Sequence, residues 1–150
     1  ALDVSNWDTS NVTNMFYTFL KDGLITVLDV SNWDVSNVEK FTGTFSGMSG
    51  VKTLDVSHWD TGSATAMGSL FQDTNSLSTL DVSNWNVSNV LSLDFTFLNT
   101  GVKTLDVSKW DVSKVTNFFG TFEGVKFSRL DVSDWKTGLS DDILLRILWK

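Results

Sequence analysis

A chain of 150 residues, of which 41% are hydrophobic, can bury the core of one domain and is too apolar for a disordered segment. Its net charge of −7 argues against nucleic acid and anionic membranes as partners, and no apolar run reaches the about 18 residues of a membrane-spanning helix. Because the chain has no cysteine, disulfides, thiolate metal sites and a cysteine nucleophile are excluded.

The motif Leu-Asp-Val-Ser-x-Trp divides the chain into tandem copies of 25 or 26 residues. A fixed period of this length is typical of stacked repeats, in which one copy alone is too small to bury its apolar side. We therefore predict one domain over residues 1–150. Its six copies begin at Leu2, Leu28, Leu54, Leu80, Leu105 and Leu130.

Within each copy, the apolar spacing predicts first a strand and then a helix. Val51, Leu54, Val56 and Trp59 follow the spacing of a leucine-rich-repeat strand. A serine turn and an i, i+3, i+7 apolar stripe then predict a short helix. The stripe is seen in Val12, Met15 and Phe19, in Val38, Phe41 and Phe45, and in Val115, Phe118 and Phe122. The predicted fold class is α/β, a right-handed leucine-rich-repeat-like solenoid with a parallel β-sheet on one face and short helices on the other.

The two ends of the chain differ in pattern. The first copy lacks the upstream apolar residue that Val51 supplies to the third, so we expect further repeats or another domain of the same polypeptide beside it. Near the other end, Ser140, Asp141 and Asp142 are typical of a helix start. We predict a helix over residues 140–150 that belongs to the last copy and caps it.

The units LDVSNWDTSNVTNMF at residues 2–16 and LDVSNWDVSNV at residues 28–38 resemble the 26-residue repeat of bacterial surface proteins, the BspA-like leucine-rich repeats. The resemblance extends over essentially the whole chain. It implies an extracellular protein on a bacterial cell surface, anchored in the cell wall or as a lipoprotein through regions outside this chain. It also implies adhesion to a host or cell-surface protein or glycan. The alternative is a structural spacer or stalk with no ligand of its own.

The Asp of each motif lies between inward-facing Leu and Val and is therefore predicted to point outward. Stacked carboxylates near 5 Å apart would repel by roughly 1 kcal/mol per pair. Three things could offset this: hydrogen bonds from neighbouring Ser and Thr hydroxyls, raised pKa values, or a bound cation, for which calcium is the candidate. We expect no other cofactor. The candidate ligand-facing residues are Asp29, Asp55, Asp81, Asp106, Ser57, Ser83, His58 and Asn84.

The Trp of each motif allows two interpretations, an aromatic platform for sugar rings or a filler of the core, and strict recurrence favours the core. The predicted structural residues are Trp33, Trp59, Trp85 and Trp110. A Ser-His-Asp catalytic triad could be composed of Ser57, His58 and Asp55. However, the same Ser and Asp recur without a histidine in every other copy. We therefore expect no metal site built on His58, no catalytic residues and no enzyme activity.

Overall fold

A computed structural model describes residues 2–149 and corrects the predicted architecture. Its regular elements are strand β1 (Thr104–Leu105), strand β2 (Arg129–Leu130) and helix α1 (Asp141–Leu148). The two strands pair in parallel, and nearly all of the remaining described chain consists of turns and short irregular segments. The prediction of an α/β leucine-rich-repeat-like solenoid with a sheet layer and a helix layer is therefore wrong.

The predicted strand is cut short by a turn inside the motif itself. In the third copy, Asp55 Oδ1 accepts a hydrogen bond from the Ser57 backbone N–H at 3.2 Å. The Trp59 N–H donates to the Val56 carbonyl, also at 3.2 Å. This Asp-to-backbone bond turns the chain immediately after Leu54, since aspartate offers the backbone a local alternative to a sheet. Only a single parallel bridge, Thr53 to Thr79, links this copy to the next at the predicted strand.

The predicted helix is replaced by two consecutive tight turns. In the second copy, Gly43 and Gly47 have left-handed φ values of 66° and 77°, which a right-handed helix does not allow. The Thr44 N–H donates to the Phe41 carbonyl three residues back. The stripe spacing fits these turns as well as a helix, because Phe41 and Phe45 lie four residues apart and both face inward.

Backbone hydrogen bonds connect each copy to the next instead of closing a helix. The N–H groups of Phe41, Gly43, Phe45 and Gly47 donate to carbonyls of the third copy at 2.8–3.1 Å. Parallel bridges repeat the contact along the chain, at Asn14, Lys40, Ala66, Ser92 and Asn117. Residues one copy apart in sequence are thus neighbours in space, and the copies are stacked in register.

Two columns of aromatic rings fill the space between copies. The motif indoles are stacked with ring centroids 5.9–6.4 Å apart and planes within 10° of parallel. Beside them Phe19, Phe45, Phe71, Phe97 and Phe122 stack with centroids 5.7–6.0 Å apart. Offset parallel rings at this separation attract one another beyond the effect of burial alone.

Each indole in the second to sixth copies also ties its copy to the preceding one. Its Nε1–H donates to the carbonyl of the preceding copy's motif Val at 2.9–3.2 Å. The same carbonyl accepts the backbone N–H of the Trp in its own motif. A buried indole N–H needs a partner, and register-locked stacking provides one in each of these five copies.

Helix α1 lies against the fifth copy. It is N-capped by Ser140, and its Leu144 and Leu148 side chains are buried. The carbonyls of Ile147 and Leu148 accept the N–H groups of Gly120 and Phe122, both at 2.8 Å. Carbonyls in the last turn of a helix lack partners within the helix. Here they accept N–H groups of the fifth copy, whereas the equivalent N–H groups of earlier copies donate to carbonyls of the next copy. No helix within residues 2–149 has the length and apolar character needed to cross a membrane.

Candidate functional site

A polar groove runs along the face formed by the motif residues of the third to sixth copies. It consists of two depressions of about 400 Å³ each that share Leu80, Asp81 and Thr104. The groove arises because Leu80 and its counterparts turn into the core, while the Thr before and the Asp after point outward. The remaining lining residues are Thr53, Leu54, Asp55, Ser57, Thr79, Ser83, Leu105, Asp106, Ser108, Arg129 and Asp131.

The carboxylates of the motif are held in one orientation by the Ser two residues further on. In all six copies, Asp Oδ1 accepts from the Ser backbone N–H at 3.0–3.2 Å and from its hydroxyl at 2.6–2.7 Å. Within residues 2–149, no hydrogen bond reaches the Oδ2 atoms. Each carboxylate therefore keeps one oxygen available for a ligand donor. The groove presents Asp55, Asp81, Asp106 and Asp131 in this way.

These hydrogen bonds also lower the pKa of several carboxyl groups in the column. The pKa of Asp29, Asp55 and Asp106 is lowered chiefly by the Ser hydroxyl and next by the Ser backbone N–H. Repulsion from Asp55 and Asp3 raises the pKa of Asp29 only slightly in comparison. Of the three ways to tolerate stacked carboxylates, the structure shows hydroxyl hydrogen bonding, and the idea of raised pKa values is wrong for Asp29, Asp55 and Asp106. The carboxylates of these three residues are ionised at neutral pH.

A serine substitution tests this account of the pKa. In Ser31→Ala, the pKa of Asp29 is expected to rise toward the ordinary value of about 3.9, because its strongest hydrogen-bond donor is lost. A carboxyl 13C NMR titration measures it, with Asp131 in the same sample as internal control. An unchanged Asp29 pKa would contradict the account.

The lowered pKa values of these Asp residues also predict how the stability of the protein depends on pH. The folded-state pKa of each of these Asp residues lies below the unfolded value, so the stabilisation is complete above about pH 4. It is lost as the pH falls through the folded pKa. We expect the melting temperature to fall over that acidic window.

A second column of turns, closed by the same kind of hydrogen bond, begins at the residue directly after the motif Trp. Asp8 and Asp34 accept from Ser10 and Ser36 as in the motif, and Asn86 accepts from Ser88 at 3.0 Å (N–H) and 2.7 Å (hydroxyl). An amide oxygen can therefore hold this turn as well as a carboxylate does. None of these three acceptors lines the polar groove.

The third copy departs from this pattern at Gly62, which offers Asp60 only a backbone N–H, at 3.0 Å. Gly62→Ser is expected to stabilise the protein by about 0.5–1 kcal/mol, because it adds the missing hydroxyl and restricts the unfolded chain. Urea unfolding measures the change. Ser36→Gly, the reverse change one copy earlier, should destabilise by a similar amount. A less stable Gly62→Ser variant would contradict this.

The predicted ligand-facing residues do not all meet in one place. Asp55, Asp81, Asp106, Ser57 and Ser83 line the groove. Asp29 belongs to the second copy, and His58 and Asn84 are exposed but are not among the lining residues.

The predicted core residues Trp33, Trp59, Trp85 and Trp110 are buried. Their stacked faces contact other rings of the column, so no sugar ring can lie on them.

Arg129 is the groove residue that sequence reasoning missed. It lines the end of the groove. The pKa of Asp106 and Asp131 is lowered chiefly by hydrogen bonds from Ser108 and Ser133, and the Arg129 guanidinium lowers it further. The signal was present, because Arg129 occupies the repeat position that holds Thr53, Thr79 and Thr104 in other copies. The groove therefore places one cation beside a row of carboxylates.

The described part of the chain has no group of three or more His, Cys, Asp or Glu side chains that could hold a metal ion. Calcium binding by the Asp column stays a prediction. What the groove offers chemically is a row of hydrogen-bond acceptors between Thr and Ser hydroxyls, with a guanidinium at one end.

Fold and groove together define a tandem-repeat protein whose turn-rich copies stack in register and repeat one polar surface. Residues 1–102 and 41–143 match the family model described as "Mycoplasma protein of unknown function, DUF285", and the chain belongs to this family. No curated protein and no solved structure matches the chain.

Proposed function

We propose that the chain is a non-enzymatic extracellular module of a bacterial surface protein that binds a host or cell-surface glycan or protein through the polar groove. The observation that carries the proposal is the row of carboxylates whose Ser partners hold one oxygen and leave Oδ2 available. Acceptors fixed in advance bind with less loss of conformational freedom than mobile ones. The resemblance to bacterial surface repeats supports the location.

The shape of the groove favours an extended ligand. Its carboxylates recur once per copy, about 5 Å apart, the spacing of hydrogen-bonded parallel backbones. The groove is shallow and polar, so affinity would come from several similar contacts in a row. A sugar chain or an extended peptide with regularly spaced hydroxyl or N–H donors fits this arrangement.

A spacer with no ligand of its own is the second candidate. The unbroken column of stacked indoles favours it, since each copy is tied to its neighbours by the same ring contacts and hydrogen bonds. Such a stack would hold another domain at a fixed distance. The two candidates differ in whether the isolated chain binds anything.

The deciding experiment is a glycan and matrix-protein array probed with the whole chain. A triple variant, Asp55→Asn, Asp81→Asn and Asp106→Asn, removes three of the four carboxylates of the groove, and the Asn86 turn indicates that asparagine keeps the local geometry. Bound signals are expected to fall at least tenfold, the effect of about 1.4 kcal/mol.

The matched control changes Asp8, Asp34 and Asp111 to asparagine, which alters the net charge equally outside the two depressions that form the groove. This control should retain binding. Equal losses in the two variants would indicate a net-charge effect and overturn the groove as the site. No binding by the unaltered chain across the arrays would favour the spacer.

A further inference from the structure

Two copies carry an exposed phenylalanine on the side of the stack formed by the tight turns that replace the predicted helix. Phe119 of the fifth copy is 49% exposed, and Phe16 of the first copy, at the same repeat position, is 57% exposed. Phe119 lies inside the stack, because its carbonyl accepts the Phe95 N–H and the next N–H, that of Gly120, donates to the Ile147 carbonyl of α1. Its exposure therefore does not arise from an open end of the stack.

A second aromatic ring supports each of these phenylalanines. Phe95 of the fourth copy meets Phe119 edge to face, with ring centroids 5.4 Å apart and planes at 84°. Tyr17 meets Phe16 in the same way, at 4.3 Å and 72°. Edge-to-face contact is attractive and covers at most one face of a ring. Each phenylalanine is thus held in place while about half of its surface stays open to solvent.

The same two copies share an exposed asparagine two residues before the phenylalanine. Asn117 Oδ1 accepts the Phe119 N–H at 3.1 Å, and Asn14 Oδ1 accepts the Phe16 N–H at 2.9 Å. This bond fixes the side-chain amide beside the ring. Within residues 2–149, neither asparagine donates a hydrogen bond from Nδ2, so both N–H donors of each amide stay available.

Stacking does not require this combination of asparagine and phenylalanine. The second, third and fourth copies form the same parallel bridges with other residues at the two positions. These residues are Lys40 and Thr42, Ala66 and Gly68, and Ser92 and Asp94. Asparagine and phenylalanine therefore occur together, in the first and fifth copies, without being needed for the fold.

We infer that each asparagine–phenylalanine pair binds one ring of a neutral pyranose sugar. A sugar ring presents a face of C–H groups, which packs on an aromatic ring, and hydroxyl oxygens at its edge, which accept amide N–H donors. The pairs carry no charge themselves, and the net charge of −7 disfavours anionic sugars. Neither pair lines the polar groove, and the inference does not depend on the function proposed for that groove.

Titration of the whole chain with a linear hexamer of β-1,4-linked glucose tests the inference, because axial C–H groups cover both faces of each of its rings. Nitrogen-15 NMR follows the side-chain amide signals of Asn14 and Asn117, and both should shift as the hexamer is added. In Phe119→Ala, the shift of Asn117 should disappear while that of Asn14 persists. A hexamer of β-1,4-linked glucuronic acid should shift both signals less at the same concentration.

Leu91→Ala is the matched control, since it removes a side chain that is 51% exposed in the neighbouring copy but is not aromatic. Both amide signals should still shift in this variant. Equal losses in the Phe119 and Leu91 variants would indicate a general apolar patch and overturn the inference. It would also be overturned by amide signals that do not move with the glucose hexamer, or that move only with an apolar peptide or equally with the acidic hexamer.

Discussion

Replacing Trp59 with alanine is expected to lower the free energy of unfolding by about 3–5 kcal/mol, the usual cost of deleting a large buried aromatic side chain. The indole stacks between Trp33 and Trp85 and contacts Phe41 and Phe45, with centroids 5.6–6.4 Å away. Its loss also leaves the Val30 carbonyl without one of its two donors. Urea unfolding followed by circular dichroism measures the change.

Trp7→Ala is the matched control, since it makes the same substitution at the open end of the indole column. Trp7 is half exposed, and among the motif indoles it stacks only on Trp33. A loss of about 1 kcal/mol or less is expected. Equal effects of the two substitutions would mean that the indoles are not stacked as described.

Gly101→Ala is expected to cost about 3 kcal/mol, at the upper end of the range for overpacking. A Cβ at this position would collide with the Asn75 carbonyl oxygen and would lie 2.8 Å from that of Leu77. Both atoms belong to the backbone of the preceding copy, which cannot yield without breaking the register of the stack. Gly50→Ala should act in the same way, because its Cβ would meet the carbonyl oxygens of Gly23 and Ile25.

Gly62→Ala provides the comparison for the glycine series. The nearest atom to its Cβ is Asp60 Oδ1 at 3.2 Å, the end of an exposed side chain that can move. Thermal unfolding should place this variant within about 0.5 kcal/mol of the unaltered protein. Gly101→Ala with the same melting temperature would contradict the close approach of successive copies.

The sequence predicted which side chains face inward better than it predicted the backbone. Leu54, Val56 and Trp59 lie in the core and Asp55 faces outward, as the motif spacing indicated. Spacing reports the side of the chain on which a residue lies. It does not distinguish a helix from two four-residue turns, because Phe41 and Phe45 face the same way in both.

The failed helix prediction has a local cause that the printed sequence only partly reveals. Gly43 and Gly47 marked left-handed positions in the second copy, but Tyr17 and Phe95 adopt positive φ at the same repeat position without being glycine. Bonds to the neighbouring copy hold them there, for example from the Tyr17 N–H to the Thr42 carbonyl at 2.9 Å. Such a constraint comes from stacking and cannot be derived from one copy alone.

The groove was predictable only in part for a similar reason. The outward Asp and Ser columns follow from the motif, whereas the depressions between them depend on how far the Leu side chains withdraw into the core. Buried threonines show the same limit. Thr44 donates to the carbonyls of Met15 and Phe41, a role invisible in the apolar pattern.

Hydrogen exchange of the indole N–H groups, resolved by NMR, tests register-locked stacking most directly. The protons of Trp33, Trp59, Trp85, Trp110 and Trp135 should exchange orders of magnitude more slowly than that of Trp7, because each donates to a buried carbonyl of the preceding copy. Comparable, rapid exchange at all of these indoles would show that the copies do not share a continuous core.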